Sequence, residues 1–214
     1  MPWIGFFDKM ARSDIFVFLD NVQFTKNSFQ NRTRILTSQG PQWLTVPVLT
    51  KGAFQQLTRD VLIDNKLNWR KKHLKTLELN YRKASYFHSV WKSIWEIYQL
   101  DCKKLVDFTK PLILLLAEKL KIKGVKFVSA SDLDVKGQGS ELLLNICRSL
   151  KVDTYLSGPS GRKYLDLQSF QRSNIKVQFH EFTHPIYKQQ YGSFTPGMSA
   201  IDLIFNCEAT VPLG

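Results

Sequence analysis

Apolar and polar positions alternate along this chain in a way that changes period several times. Ile4, Phe7, Met10 and Ala11 fall on one helical face near the start. Asp14-Ile15-Phe16-Val17-Phe18-Leu19-Asp20 follows, a short apolar run bounded by aspartates. Such a run predicts a strand buried on both faces, and a helix feeding a buried strand predicts a parallel sheet with crossovers. The polar stretch Asn27–Gly40 reads as a loop, and Trp43–Val48 as a strand that Pro47 pushes to an edge. Val61-Leu62-Ile63-Asp64 reads as another short strand.

The middle of the chain switches to helical spacing. Asn68 is placed to cap a helix carrying Trp69, Leu74, Leu77 and Tyr81. Phe87, Val90, Trp91, Ile94, Trp95 and Tyr98 repeat on a second helix. Asp101 is placed to cap a third, which Pro111 interrupts and Gly124 stops. Strand and helix then alternate: Lys126–Ser129, a helix Ser140–Leu150 capped by Ser140, Thr154–Ser157, Ile175–Phe179, and a final helix from Ser199 to Phe205. The prediction is one α/β domain over residues 1–214, a doubly wound, mostly parallel sheet with a helical insertion at about 66–123.

Composition narrows the class. At 214 residues, with 43% hydrophobic and 13% aromatic residues, the chain can bury a core. Cys102, Cys147 and Cys207 are odd in number, far apart and form no Cys-x-x-Cys pair. Without an opening signal peptide this predicts free thiols and a cytoplasmic protein. The longest apolar run, Leu112–Ala117, is far short of the roughly 20 residues that span a bilayer, so no transmembrane segment is expected.

Charge adds a direction. Thirty basic residues against 18 acidic give a net +12, gathered at Lys66–Lys75, Arg82–Lys83 and Lys119–Lys126. Such an excess suits a basic solvated surface or an anionic partner. Trp69–Trp95 interleaves basic and aromatic residues, but at the helical spacing of a core face and without a nucleic-acid-binding motif. An anionic small molecule is therefore the expected partner, not a specific nucleic acid; oligomerisation stays open.

Three segments carry candidate chemistry. Asp20 ends a strand, where open α/β sheets bind ligands, and Gln23, Lys26, Asn31 and Arg32 follow it with side chains suited to phosphate and ribose. Ser157-Gly158-Pro159-Ser160-Gly161-Arg162 also follows a strand. Its glycines, its hydroxyls at Ser157 and Ser160 and its guanidinium suit an anion nest, though GxxxxGK[ST] is absent. His180 and His184 are four apart, but Pro185 and the preceding strand argue against one helix face, and no metal or cofactor is predicted. His184 stands as a candidate general base and Asp20 as a second polar reactant.

Taken in order, several stretches resemble the WbqC-like protein family: Pro2–Lys9, Asp14–Phe24, Gln30–Ile35, Trp43–Val48, Trp69–His73, Tyr155–Arg162 and Ser199–Cys207. The resemblance covers essentially the whole chain. It implies a bacterial protein of O-antigen or other surface-polysaccharide biosynthesis, a transferase or ligase acting on a nucleotide-activated sugar or acyl donor. A non-catalytic binding or scaffold protein of that pathway, or a basic nucleic-acid binder, are the alternatives. Members of the family usually carry a short strand and a His-Gln-Pro segment before the Pro-Trp, whereas this chain opens at Met1-Pro2. The resemblance thus implies a first strand and a His lacking here, with activity in question. A fold-level likeness to nucleotidylyltransferases also points to nucleotide-linked chemistry.

Overall fold

The computed structural model describes residues 1–50, 52 and 55–208. Helix α1 (Ile4–Ala11) leads into β1 (Ile15–Phe18), and an antiparallel hairpin follows, β2 (Arg32–Thr37) with β3 (Gly40–Thr45). Three helices fill the middle, α2 (Trp69–Tyr81), α3 (Phe87–Gln99) and α4 (Leu105–Lys119). The last third runs β4 (Lys126–Ser129), α5 (Gly139–Leu150), β5 (Thr154–Ser157), α6 (Leu167–Arg172), β6 (Lys176–Phe179) and α7 (Ala200–Asn206).

The mixed α/β class stands, with β1 parallel to β4 and β5 parallel to β6. The described strands pair as three two-stranded sheets, and a single doubly wound sheet is not shown among them. Strand β1 is also less buried than its apolar run predicts. Only Phe16 of its four residues is buried, and the strand borders two cavities.

The main core lies between α1, α2, α3, α4 and α7. Ile4, Phe7 and Met10 of α1 are fully buried, the face that the spacing predicts. Helix α7 is short but sits at the centre. Ile201, Leu203 and Phe205 are fully buried, and the Ser199 hydroxyl accepts from the Ile201 amide to cap it. A smaller cluster of Leu143, Leu144, Cys147, Phe170 and Ile175 backs β5 and β6.

Local departures have local causes. Asn27–Gly40 contains β2, in which Thr33, Ile35 and Leu36 are buried while Arg32 and Arg34 are half-buried, and the polar residues disguise the strand. The ladder of β3 stops at Thr45, ahead of Pro47, and Val48 makes only an isolated bridge to Ile63. Leu62 bridges Lys104, so Val61–Asp64 is two bridges rather than a strand. Helix α4 starts at Leu105, after Lys104, not at Asp101. Ser140 does not cap α5: Gln138 is at that position, and the Ser140 hydroxyl accepts from the Asp166 amide.

Candidate functional site

Asp20 lies just past the carboxyl end of β1, beside the carboxyl end of β4, and its side chain is 4% exposed. A carboxylate so placed needs donors, and the turn after β4 supplies them. The Ser131 amide donates to Oδ1 at 2.9 Å and the Ser131 hydroxyl to Oδ2 at 2.9 Å. Lys110 Nζ, reaching down from α4, donates to Oδ2 at 2.7 Å and to Ser129 Oγ at 2.7 Å. Burial alone would raise the Asp20 pKa. The bonds from Lys110 and Ser131 and the lysine's charge outweigh it and hold the carboxyl below the ordinary value.

The cluster opens on a cleft of about 640 Å³. Trp3, Phe6, Phe18, Leu105 and Ile113 make its walls largely apolar, while Ser28, Gln30 and Thr58 bring polar groups to one side. Two ammonium groups line it, Lys110 and Lys9. Lys110 is 26% exposed, and two of its three protons are committed to Asp20 and Ser129, so one faces the cleft. Burial lowers the Lys9 pKa. An ammonium on an apolar wall favours an anion that brings its charge into the same low-dielectric space.

Of the residues expected from sequence, Asp20 alone lines this cleft. Gln23 bridges Leu57 through its backbone. Lys26 donates to Thr50 on the surface. Asn31 is buried and donates to the Val46 carbonyl while accepting from the Asn27 amide. Arg32 lies over the Trp43 ring at 4.1 Å.

The Ser157–Arg162 turn lies after β5. Ser157 is buried and donates to the Gly158 carbonyl, and a Cβ at Gly161 would collide with the Ser157 hydroxyl. That glycine is required by packing. Ser160 is exposed, as is Arg162, whose guanidinium lies over Phe179 at 4.2 Å and within 3.6 Å of Glu181.

Both histidines are engaged. His184 Nδ1 meets the Pro185 carbonyl at 2.9 Å, and its Nε2 accepts from the Gly197 amide at 3.2 Å, so backbone holds the ring at both nitrogens. His180 Nε2 meets Asp8 Oδ2 at 2.6 Å in a buried pair. Among the described residues no three His, Cys, Asp or Glu side chains gather at metal-ligand spacing. Cys102, Cys147 and Cys207 are free thiols, and burial raises the pKa of each. No described helix is long and apolar enough to cross a membrane.

Sequence reasoning passed over Lys110, Ser129, Ser131 and Lys9. One signal was available: Lys110 is the lone cation between Leu105 and Ala117, just ahead of the longest apolar run of the chain. A long cationic side chain amid such a run must reach a partner or an opening.

Uncharacterized protein Rv1507c of Mycobacterium tuberculosis is 36% identical over 214 residues, across 99% of this chain and 92% of that protein. No solved structure matches. The WbqC-like protein family matches residues 1–211. Nearly the entire chain is thus accounted for by one family, and the chain belongs to the WbqC-like protein family.

Proposed function

We propose that this protein is an enzyme of bacterial surface-polysaccharide biosynthesis that transfers or ligates an activated group, with a nucleotide-activated sugar or acyl donor bound in the cleft above Asp20. The observation that carries this reading is the pair of ammonium groups, Lys9 and Lys110, on the walls of one apolar cleft. A ligand with an anionic part and an apolar or ring-shaped body fits that lining. Asp20 accepts three hydrogen bonds, from Lys110 and twice from Ser131, so its role is to hold Lys110 in place. The free Lys110 proton is the group that would stabilise negative charge developing on a donor oxygen.

The test is a thermal-shift panel of nucleotide sugars and acyl donors, followed by a turnover assay on whatever binds. Ligand-specific stabilisation with product formation supports a transferase or ligase. Stabilisation without turnover in the presence of acceptors selects the binding or scaffold protein of the same pathway. The nucleic-acid reading has one observation of its own, the exposed Phe29 and Trp43 rings 5.8 Å apart with Arg32 over Trp43. Tight DNA binding together with an empty panel would favour it.

A further inference from the structure

Five aromatic rings line the cleft, Trp3, Phe6, Phe16, Phe18 and Phe29. Four of them are packed against neighbours. Trp3 lies edge-on to Phe182 and over Gly5, where a Cβ would collide with the indole. Phe6 meets Phe7 and Phe16 edge-on, and Phe18 stacks on Phe127 with Lys110 Nζ 5.7 Å from its own ring centre. Phe29 differs. It is 55% exposed and meets the Trp43 ring at 5.8 Å, tilted by 56°.

The loop that carries Phe29 is tied at several points. The Thr25 amide donates to Gln30 Oε1 at 2.7 Å, and the Ser28 hydroxyl donates to the Thr25 carbonyl at 2.6 Å. The Asn31 and Arg32 amides both donate to the Ser28 carbonyl. Asn31 Nδ2 donates to the Val46 carbonyl at 3.0 Å and anchors the loop just beyond β3. Behind the ring, Trp43 is covered by the Arg32 guanidinium at 4.1 Å, with that of Arg34 at 5.7 Å. Phe29 is thus held in one place with most of its surface in water, beside the exposed Trp43. A fixed, contiguous apolar patch at the mouth of a cleft marks a contact surface.

The neighbours of Phe29 in the chain, Ser28 and Gln30, bring a hydroxyl and an amide to the same cleft, and Lys9 and Lys110 bring positive charge. The two arginines behind Trp43 add positive potential at this rim. An open ring, hydrogen-bonding groups and ammonium groups match the base, ribose and phosphates of a nucleotide. A cleft of about 640 Å³ accommodates a ligand of that size.

We propose that Phe29 is the stacking platform for the base of a nucleotide whose phosphates meet Lys9 and Lys110 in the same cleft. The inference rests on the reading of the cleft as an anion-binding donor site. It narrows that reading to a donor that carries a nucleotide, which a simple acyl phosphate does not. Every base offers a flat π-face, so stacking on Phe29 gives affinity without choosing among bases. Trp43 and Arg32 support the ring from behind and do not line the cleft.

The test is calorimetry with pyrophosphate and with UDP, CDP, ADP, GDP and dTDP, on the wild type, Phe29→Ala and Phe29→Tyr. Urea melts check that the two variants keep the fold. The expected result is that nucleoside diphosphates bind more tightly than pyrophosphate. Phe29→Ala weakens them by roughly five- to a hundredfold, the loss of one base–aromatic stack, and Phe29→Tyr retains them. Pyrophosphate binds all three proteins alike. A nucleoside diphosphate that binds Phe29→Ala as well as the wild type overturns the platform and leaves the anion site standing. Pyrophosphate weakened by Phe29→Ala as much as the nucleotides are also overturns it, because the ring then acts on the cleft as a whole. Binding of none of these probes overturns the anion-site reading and the platform with it. Phe29-dependent binding of single-stranded DNA, without binding of any nucleoside diphosphate, overturns the platform in favour of the nucleic-acid reading.

Discussion

Lys110 has three protons, and the fold uses two. That inequality is what separates it from the other cations of the chain, most of which lie in solvent. Replacing Lys9 or Lys110 by Ala is expected to weaken binding of an anionic ligand by about 1.5–3 kcal/mol, roughly ten- to a hundredfold. Lys9→Ala is the cleaner probe, because Lys110 also neutralises Asp20. Arg32→Ala and Arg162→Ala remove guanidinium groups that do not line the cleft, and calorimetry on all four variants is the check. An affinity that follows the arginines instead of the lysines moves the site to the surface. A second residue-scale prediction concerns Asp202. Its carboxylate accepts from Tyr81 at 2.6 Å, Tyr187 at 2.7 Å and Gln189 at 2.9 Å, all in the core. Asp202→Ala leaves three buried donors without their acceptor and is expected to cost about 3 kcal/mol or more in urea melts. Asp202→Asn, which keeps a carbonyl oxygen, is expected to cost less.

At the scale of elements, His73 ties α2 to its neighbours. Its Nε2 meets the Thr45 carbonyl at the end of β3 at 3.1 Å, and its Nδ1 meets the Tyr98 hydroxyl on α3 at 3.2 Å. Burial pushes its pKa down from 6.5 to about 4. The native state therefore resists a proton that the unfolded chain takes up. The contribution is complete above pH 6.5 and is lost as pH falls toward 4, with a total on the order of 3 kcal/mol. Melts from pH 7 to pH 4 should show this slope, and His73→Gln, which does not titrate, should flatten it. Parallel curves for the two proteins would assign the slope elsewhere. The helices themselves were legible: Leu77, Tyr81, Phe87, Val90, Ile94 and Tyr98 are buried at the spacing that predicts them. Strand β2 was not, because its two arginines and two threonines give it the composition of a loop.

For the whole molecule, ligand binding and folding are linked. A ligand of the cleft at about 100 times its Kd should add about 2.7 kcal/mol of stability, read as a shift in Tm. Generic DNA, held by the net charge of +12 alone, should be released between about 50 and 200 mM salt in a binding titration. Binding that survives the higher salt would count against a purely electrostatic origin. The apolar periodicity by itself determined the order of the helices other than α6 and the face of α1 that enters the core, because burial of a periodic face is a local property of the chain. The ordered motifs carried the family resemblance in the same way. Tertiary structure alone decided that Asp20 meets Lys110, 90 residues away, and Ser131, 111 residues away. It also decided that Arg32 and Arg162 lie outside the cleft, and that β1 and β5 face one another across a groove. Such meetings depend on how packed elements close in three dimensions, and no spacing along the chain encodes them.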